Sequence, residues 1–377
     1  MRFLYTRNTA SLAALLTAGL LAQAALAAST ATEQQTSAAK VTQSAKAAKA
    51  AKPGKSLPTQ GAYAQHPAAQ GFAQDLAERN ALPLKWVQDQ LAKAQRLEVV
   101  RRLIMPPPAG TAKNWATYRA RFIEPQRIAA GLAFWRDNES WLQEAQERWG
   151  VPAEIVVGIL GVETFYGRIM GNFRVLDALS TLAFDFPPGR KDRSAIFAEQ
   201  LEAYLLLCAR EAVDPASIKG SFAGAMGLPQ FMPGSITRWA VDMDGDGHIQ
   251  LHSNSADAVG SVANYLASFG WQRDLPTHYE VAVPVDSSDR AVLLGPDIVP
   301  SFSAEQFALR GAVLSEAGRA HSGPLALVEL QNGDAAPSYV AGTQNFYVVT
   351  RYNWSSYYAL AVIELAQAVR AARKPAR

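Results

Sequence analysis

Residues 151–167 constrain the fold of this 377-residue chain more tightly than any other stretch. Val151–Pro152–Ala153–Glu154 reads as a helix start, with a proline near the first turn and an acid behind it. Ile155, Ile159, Val162 and Tyr166 then recur at helical spacing and predict an apolar stripe that must be buried. At about 100° per residue, Glu163 falls inside that arc, near Val156 and Ile159. A carboxyl group there is partly desolvated, which disfavours its charged form and raises its pKa. A general acid for a glycosidic oxygen needs that property. The competing reading is a buried Glu that caps a loop or pairs with an Arg such as Arg168.

The first 27 residues read as a secretory signal. Arg2 and Arg7 give a basic start, Leu12 to Leu21 an apolar run, and Ala25–Leu26–Ala27 a small-residue cleavage site. No other long apolar run follows, so an exported, soluble, periplasmic protein is expected. The single cysteine, Cys208, lies in an apolar run and reads as a small core residue. With no cysteine at the cleavage point, no lipid anchor is expected, and no internal disulfide can form. Residues 28–67 read as a tether rich in Ala and Lys, too polar to bury a core. The whole chain carries +3; Arg2 and Arg7 leave with the signal, and five lysines against Glu33 put +4 into the tether, so the remainder carries about −3. That balance argues against nucleic acid as a partner. The tether lysines suit weak contact with an anionic surface, or simple solvation.

Helical patterns fill residues 68–150. Phe72, Leu76 and Leu82 lead to Trp86 and Leu91; Tyr118, Phe122, Ile128, Leu132 and Trp135 form one amphipathic region, followed by Trp141 to Trp149. Tyr118 fits either the core or a sugar groove. Beyond Glu163, Asp177 is a second candidate carboxylate, though it fits better as a helix cap before Ala178–Leu179. Arg190 and Arg193 make a basic loop after Phe186–Pro187–Pro188–Gly189. Phe197 to Glu211 reads as a long helix. Gly220–Ser221–Phe222–Ala223–Gly224–Ala225–Met226–Gly227 allows tight turns and close approach of backbone to ligand, with Ser221 and Gln230 as polar groups among apolar neighbours.

Asp242–Met243–Asp244–Gly245–Asp246–Gly247–His248 has the spacing of a calcium loop: oxygen ligands at Asp242, Asp244 and Asp246, a glycine at position six, and the His248 carbonyl at position seven. Ser253 stands where a Glu normally closes such a loop, and Asp257 is the nearest substitute. The expected cofactor is a structural Ca2+. From His278 the character changes. Tyr279 to Val285 alternates like a strand, and Leu325–Leu330 and Ser338–Val340 flank a turn at Asn332–Gly333–Asp334. Residues 276–342 thus predict a small antiparallel β domain, and Tyr357 to Ala372 a final helix.

Taken together, Gly161–Val162–Glu163–Thr164 with Tyr166–Gly167, the Gly220–Gly227 run with Gln230–Phe231–Met232–Pro233, the Asp242 loop, Gly260–Tyr265, and Asn345–Phe346–Tyr347 with Thr350–Arg351–Tyr352–Asn353 resemble the lytic murein transglycosylase B family. The resemblance covers residues 70–372. It implies a mainly α (α+β) fold: a lysozyme-like helical core at 151–275 bearing the calcium loop, an additional α domain at 68–150, the β domain at 276–342, and a C-terminal segment at 343–377 returning to the core. It implies one catalytic Glu, here Glu163, and groove residues Tyr118, Ser221, Gln230, Tyr265, Tyr347, Tyr352 and Asn353. Leu228–Pro229 departs from a Tyr–Gly of some members, and the loop around Arg190 is longer. The implied activity is cleavage of the MurNAc-β-1,4-GlcNAc bond of peptidoglycan glycan strands with formation of 1,6-anhydro-MurNAc. Two alternatives remain at this point: a lysozyme-type hydrolase using Asp177 or Asp185 as second carboxylate, and a wall protein that holds glycan without cutting it.

Overall fold

The structure is a computed structural model that describes residues 61–106 and 113–373. The signal segment 1–27 and most of the 28–67 tether lie outside the described residues. The described chain divides into two compact units, one formed by 61–106 with 171–225 and the other by 113–170 with 226–373. The helical stretch 68–150 is therefore shared between them. No helix among the described residues is long and apolar enough to cross a membrane.

In the first unit, helices Pro67–Asn80, Leu84–Lys93, Glu98–Leu103, Val175–Phe184 and Ser194–Arg210 bury Leu76, Val87, Leu91, Leu176, Leu179, Phe197, Leu201 and Leu205. Strands β1 (Phe173–Arg174) and β2 (Lys219–Gly220) pair antiparallel. Residues Gly61–Pro67, assigned above to the tether, are folded. Tyr63 is fully buried, and its hydroxyl donates to Asp185 Oδ2 at 2.8 Å. One aromatic anchor outweighs the polar composition around it, because a buried Tyr offers far more apolar contact than its neighbours.

The second unit is built around helix Ala153–Thr164, buried on every side from Ile155 to Thr164. The stripe read from sequence is thus a fully enclosed helix, as an all-apolar run requires. It packs against the final helix, Ser356–Ala372. Two glycines set that approach. A Cβ on Gly158 would meet the Val362 carbonyl oxygen at 2.5 Å, and one on Gly161 would meet Leu365 at 2.7 Å. Gly158→Ala should therefore destabilise the protein by about 1–3 kcal/mol through overpacking, read as a lower thermal midpoint; an unchanged midpoint would mean that the helix pair is not tightly set.

The apolar helix ends at Thr164, before Tyr166. Phe165 and Tyr166 adopt left-handed backbone at φ +51 and +57, followed by Gly167 at +88. Tyr166 is thus outside the stripe assigned to it; its ring stacks on Phe134, and its hydroxyl lies where Cβ atoms on Gly131 and Gly161 would fall. The amphipathic region expected from Tyr118 to Trp135 is two helices, Trp115–Ala120 and Pro125–Asp137, because Pro125 starts a new first turn.

The β domain is a four-stranded antiparallel sheet ordered β4-β3-β6-β5, with β3 His278–Ala282, β4 Val313–Leu314, β5 Ala326–Asn332 and β6 Ala335–Gly342. Three short helices between β3 and β5 cover a separate core of Leu293, Phe307, Leu314, Leu325, Leu327 and Ala341. The β5–β6 turn falls at the expected Asn332–Gly333–Asp334, with Gly333 at φ +64. β3 stops at Ala282, short of the Val285 expected; Pro284 has no N–H to extend the ladder.

Candidate active site

Glu163 lies one residue from the C-terminal end of its helix and is 3% exposed. Among the described residues its hydrogen-bond donor is Tyr358, whose hydroxyl meets Oε1 at 2.7 Å. Burial pushes the Glu163 carboxyl up to about 8, and the Tyr358 bond pulls against that shift. Arg168 is not its partner: that guanidinium lies 4.8 Å over the Phe165 ring. Glu163 is therefore a desolvated acid that keeps its proton at neutral pH, held by a neutral donor.

Four tyrosines feel its charge. Tyr118, Tyr265, Tyr352 and Tyr358 are all raised above the ordinary phenol range, first by burial and then by Glu163; for Tyr265, Arg351 acts in the opposite sense ahead of Glu163. Tyr352 stacks on Tyr358 with centroids 6.1 Å apart and meets Tyr265 edge-on at 4.9 Å. Their hydroxyls are anchored. Tyr352 donates to the Pro229 carbonyl at 2.6 Å, and Tyr265 to the Arg351 carbonyl at 2.7 Å. Tyr118 stacks on Trp115 and meets Tyr357 edge-on. The result is an aromatic enclosure around one carboxyl, in which Tyr118 is half-buried.

The remaining residues of the expected groove have distinct settings. Gln230 is buried at φ +50, and its Nε2 donates to the carbonyls of Met170 and Gly227 at 3.2 and 2.9 Å. Asn353 is 2% exposed, and its Oδ1 has no hydrogen-bond partner. A buried unsatisfied amide oxygen is costly unless a ligand or water completes it. Tyr347 packs edge-on against Trp354 and under the Arg351 guanidinium. Ser221 belongs to the other unit; its Oγ accepts the N–H groups of Ala223 and Ala225 at 3.2 and 3.0 Å and so shapes its own glycine-rich loop.

Both rival carboxylates are committed elsewhere. Asp177 is no cap for its own helix: it lies in the first turn, where it takes the Arg174 guanidinium at 2.7 Å and the Gln95 N–H at 2.9 Å. Asp185 takes Tyr63 and lies 3.2 Å from Arg96. Arg190, from the basic loop noted above, donates to the Ile104 carbonyl. Two further residues of this unit escaped the sequence reading. Tyr358 falls at i, i+4 and i+7 with Val362 and Leu365, the buried stripe of the final helix, a pattern that marks it only as core. Arg127 carries no such signal; its NH1 donates to the Gly161 carbonyl at 2.5 Å and its guanidinium covers Phe165 at 4.3 Å.

In the acidic loop, oxygens of Asp242, Asp244 and Asp257 lie within 4.8 Å of one another. Asp257 is fully buried, and its two oxygens accept the N–H groups of Met243 and Gln250 at 2.9 and 2.7 Å. Asp242 accepts those of Gly245 and Gly247, both at 2.8 Å. Asp246 falls outside this group of three; its carboxylate accepts the His248 N–H at 2.8 Å. Three converging hard oxygens in a turn of this spacing fit a calcium ion.

Comparison with known proteins bears on both centres. Residues 64–367 match the family described as transglycosylase SLT domain. Membrane-bound lytic murein transglycosylase B of Escherichia coli (strain K12) is 40% identical over 321 residues, 83% of this chain and 85% of the relative. Solved structures of an Escherichia coli lytic transglycosylase, one in complex with bulgecin A and one with calcium, are 39% identical, cover 83% of this chain and 96% of theirs, and give TM-scores of 0.74 and 0.73. The structure of SltB3 from Pseudomonas aeruginosa in complex with NAG-anhNAM-pentapeptide is 27% identical, covers 82% of this chain and 80% of its own, and gives 0.68. The fold is that lysozyme-like, mainly α architecture with a small β part, and the chain belongs to the transglycosylase SLT domain family.

Proposed function

We propose that this chain is a peptidoglycan lytic transglycosylase in which Glu163 serves first as acid and then as base. The observation that carries the reading is a buried carboxyl that accepts from a phenol and meets no cation among the described residues, with burial pushing its pKa up to about 8. Glu163 donates its proton to the glycosidic oxygen as the bond from the MurNAc anomeric carbon breaks and the GlcNAc hydroxyl leaves. The resulting carboxylate takes the proton from the MurNAc O6 hydroxyl. O6 closes on the anomeric carbon, giving the 1,6-anhydro sugar and returning Glu163 to its starting form. The nucleophile is internal to the substrate, so no second carboxylate is needed, in contrast to the two-carboxylate hydrolases. The engagement of Asp177 and Asp185 with structural cations supports this over the lysozyme-type alternative.

In this reading Tyr118, Gln230, Tyr265, Tyr347, Tyr352 and Asn353 line a glycan groove of their unit, and Ser221 is a glycan-binding residue of its own unit. Tyr118 offers a stacking face, and Asn353 an amide oxygen for a sugar hydroxyl or N-acetyl N–H. Residues 151–275 act as the catalytic core, 276–342 as the β domain. Asp242, Asp244 and Asp257, with Asp246 and the His248 carbonyl, hold a structural Ca2+, a reading supported by the calcium complex of the Escherichia coli enzyme. The ion would neutralise the loop's carboxylates and supplies no chemistry to the reaction. The 1–27 segment directs export to the periplasm, where the glycan strands are.

Digestion of purified sacculi followed by mass spectrometry tests the reaction. Muropeptides ending in 1,6-anhydro-MurNAc are expected. Reducing MurNAc ends would make the protein a hydrolase, and undigested sacculi with bound protein would make it a binding module.

A further inference from the structure

The β5–β6 hairpin ends in an irregular ladder. Register shifts between Leu330 and Asn332, and across from it β6 carries Pro337, which has no N–H to give. β5 is also the edge of its sheet. Main-chain groups at such a place need outside partners. Those of Gln331 find both in one side chain: its N–H donates to the Tyr357 hydroxyl at 2.7 Å, and that hydroxyl donates to the Gln331 carbonyl at 3.3 Å.

A second clasp lies beside the first. Asn332 forms a bridge with Asn114, its Oδ1 accepts the Ala116 N–H at 3.2 Å, and the Gly333 N–H donates to the Lys113 carbonyl at 3.0 Å. Asn332 Nδ2 meanwhile ties the turn to Ala336 and Ser338. The hairpin tip thus grips two segments, Lys113–Ala116 and the start of the final helix. The first leads into helix Trp115–Ala120, which carries Tyr118. The second carries Tyr358, adjacent to Tyr357. The Tyr357 ring joins the two, meeting Trp115 and Tyr118 edge-on at 6.1 and 5.9 Å. A helix's first turn has few bonds of its own, so an external tie there fixes what it carries.

We infer that the tip of the β5–β6 hairpin is a positioning element for Glu163, acting through Tyr357, which fastens Gln331 to the helix turn whose next residue, Tyr358, holds the carboxyl. The inference rests on the reading of Glu163 as acid and base. The β domain is then part of the catalytic apparatus, and Tyr357 is a positioning residue that acts through its neighbour.

The test is a double-mutant cycle on Tyr357→Phe and Tyr358→Phe, following release of anhydro ends from soluble glycan strands. Turnover is measured well below each variant's thermal midpoint. Tyr357→Phe keeps the ring and loses the hydroxyl, so kcat should fall about three- to tenfold with KM within twofold. In the Tyr358→Phe background the same change should cost less than about 1.5-fold, because the link it acts through is already gone. Asn332→Ala opens the other clasp with Tyr357 in place, and should lower kcat about two- to fivefold. Equal losses from Tyr357→Phe in both backgrounds, a change in KM alone, or unaltered kcat in both Tyr357→Phe and Asn332→Ala would overturn the inference. Glu163→Gln in the same assay separates the two levels. An active Glu163→Gln removes the underlying reading, whereas an inactive one beside fully active Tyr357→Phe and Asn332→Ala removes only the positioning role.

Discussion

Glu163→Gln should lower the release of anhydro ends by about 10³-fold or more, since one group supplies both proton transfers and each such transfer contributes about 10²–10⁴-fold. Glycan binding and fold should survive, because Gln keeps the shape and an acceptor for the Tyr358 hydroxyl. Wild-type turnover should hold through neutral pH and fall as pH rises through about 8, where the carboxyl loses the proton that it must donate. Stability depends on the same proton. The folded state holds the Glu163 proton to about 8 while the unfolded chain releases it near the usual glutamate range. Between those limits the folded state binds more protons, so stability falls as pH rises. Glu163→Gln removes that cost. The variant should melt higher than wild type at pH 9 and alike at pH 4. Activity above a few per cent of wild type, or melting curves that differ equally at both pH values, would move the chemistry to another group. Asp177→Asn is the contrast: it weakens contacts to Arg174 and Gln95 and should cost stability with little loss of turnover per folded molecule.

What was legible in the sequence follows from what each signal depends on. The Glu163 helix was legible because an unbroken apolar run with a proline ahead of it has few other places to go. The β5–β6 turn was legible because Asn–Gly–Asp tolerates left-handed backbone that other residues resist. The helix end was not: Phe165 and Tyr166 hold left-handed backbone against their own preference, a cost met by packing against Arg127, Arg168 and Phe134 that no local pattern reveals. Tyr63 was hidden by averaging over a polar segment. Asp177 was misread as a cap because its partner Gln95 is far away in sequence, and tertiary contacts decide which of a carboxylate's possible bonds is made. The tyrosine enclosure was reached through resemblance for Tyr118, Tyr265 and Tyr352. Tyr358 needed the geometry, since a Tyr in an apolar stripe is ordinarily core.

Calcium should raise the thermal midpoint, and a chelator should lower it. A ligand that binds only the folded state adds about 2.7 kcal/mol at a hundredfold excess over Kd, or roughly 3–5 °C for a chain of this size. Magnesium should do less, because it holds its waters and wants a tighter octahedron. The loop's own geometry separates ligand from scaffold. Asp244 is exposed, and Asn254 Nδ2 is its side-chain partner at 2.7 Å. Asp257 is buried and holds two main-chain N–H groups. Asp244→Asn should therefore abolish most of the calcium response. In chelator it should leave the midpoint unchanged or slightly higher, since one of three mutually repelling carboxylates is gone. Asp257→Asn should lower the midpoint in both conditions, because an amide N–H would face a main-chain N–H at a fully buried position. Turnover on sacculi at low temperature should persist in Asp244→Asn, with the loop serving stability and Glu163 the chemistry. Identical wild-type melting curves in calcium and chelator would exclude the site, and loss of turnover without loss of stability would give the ion a role in the reaction.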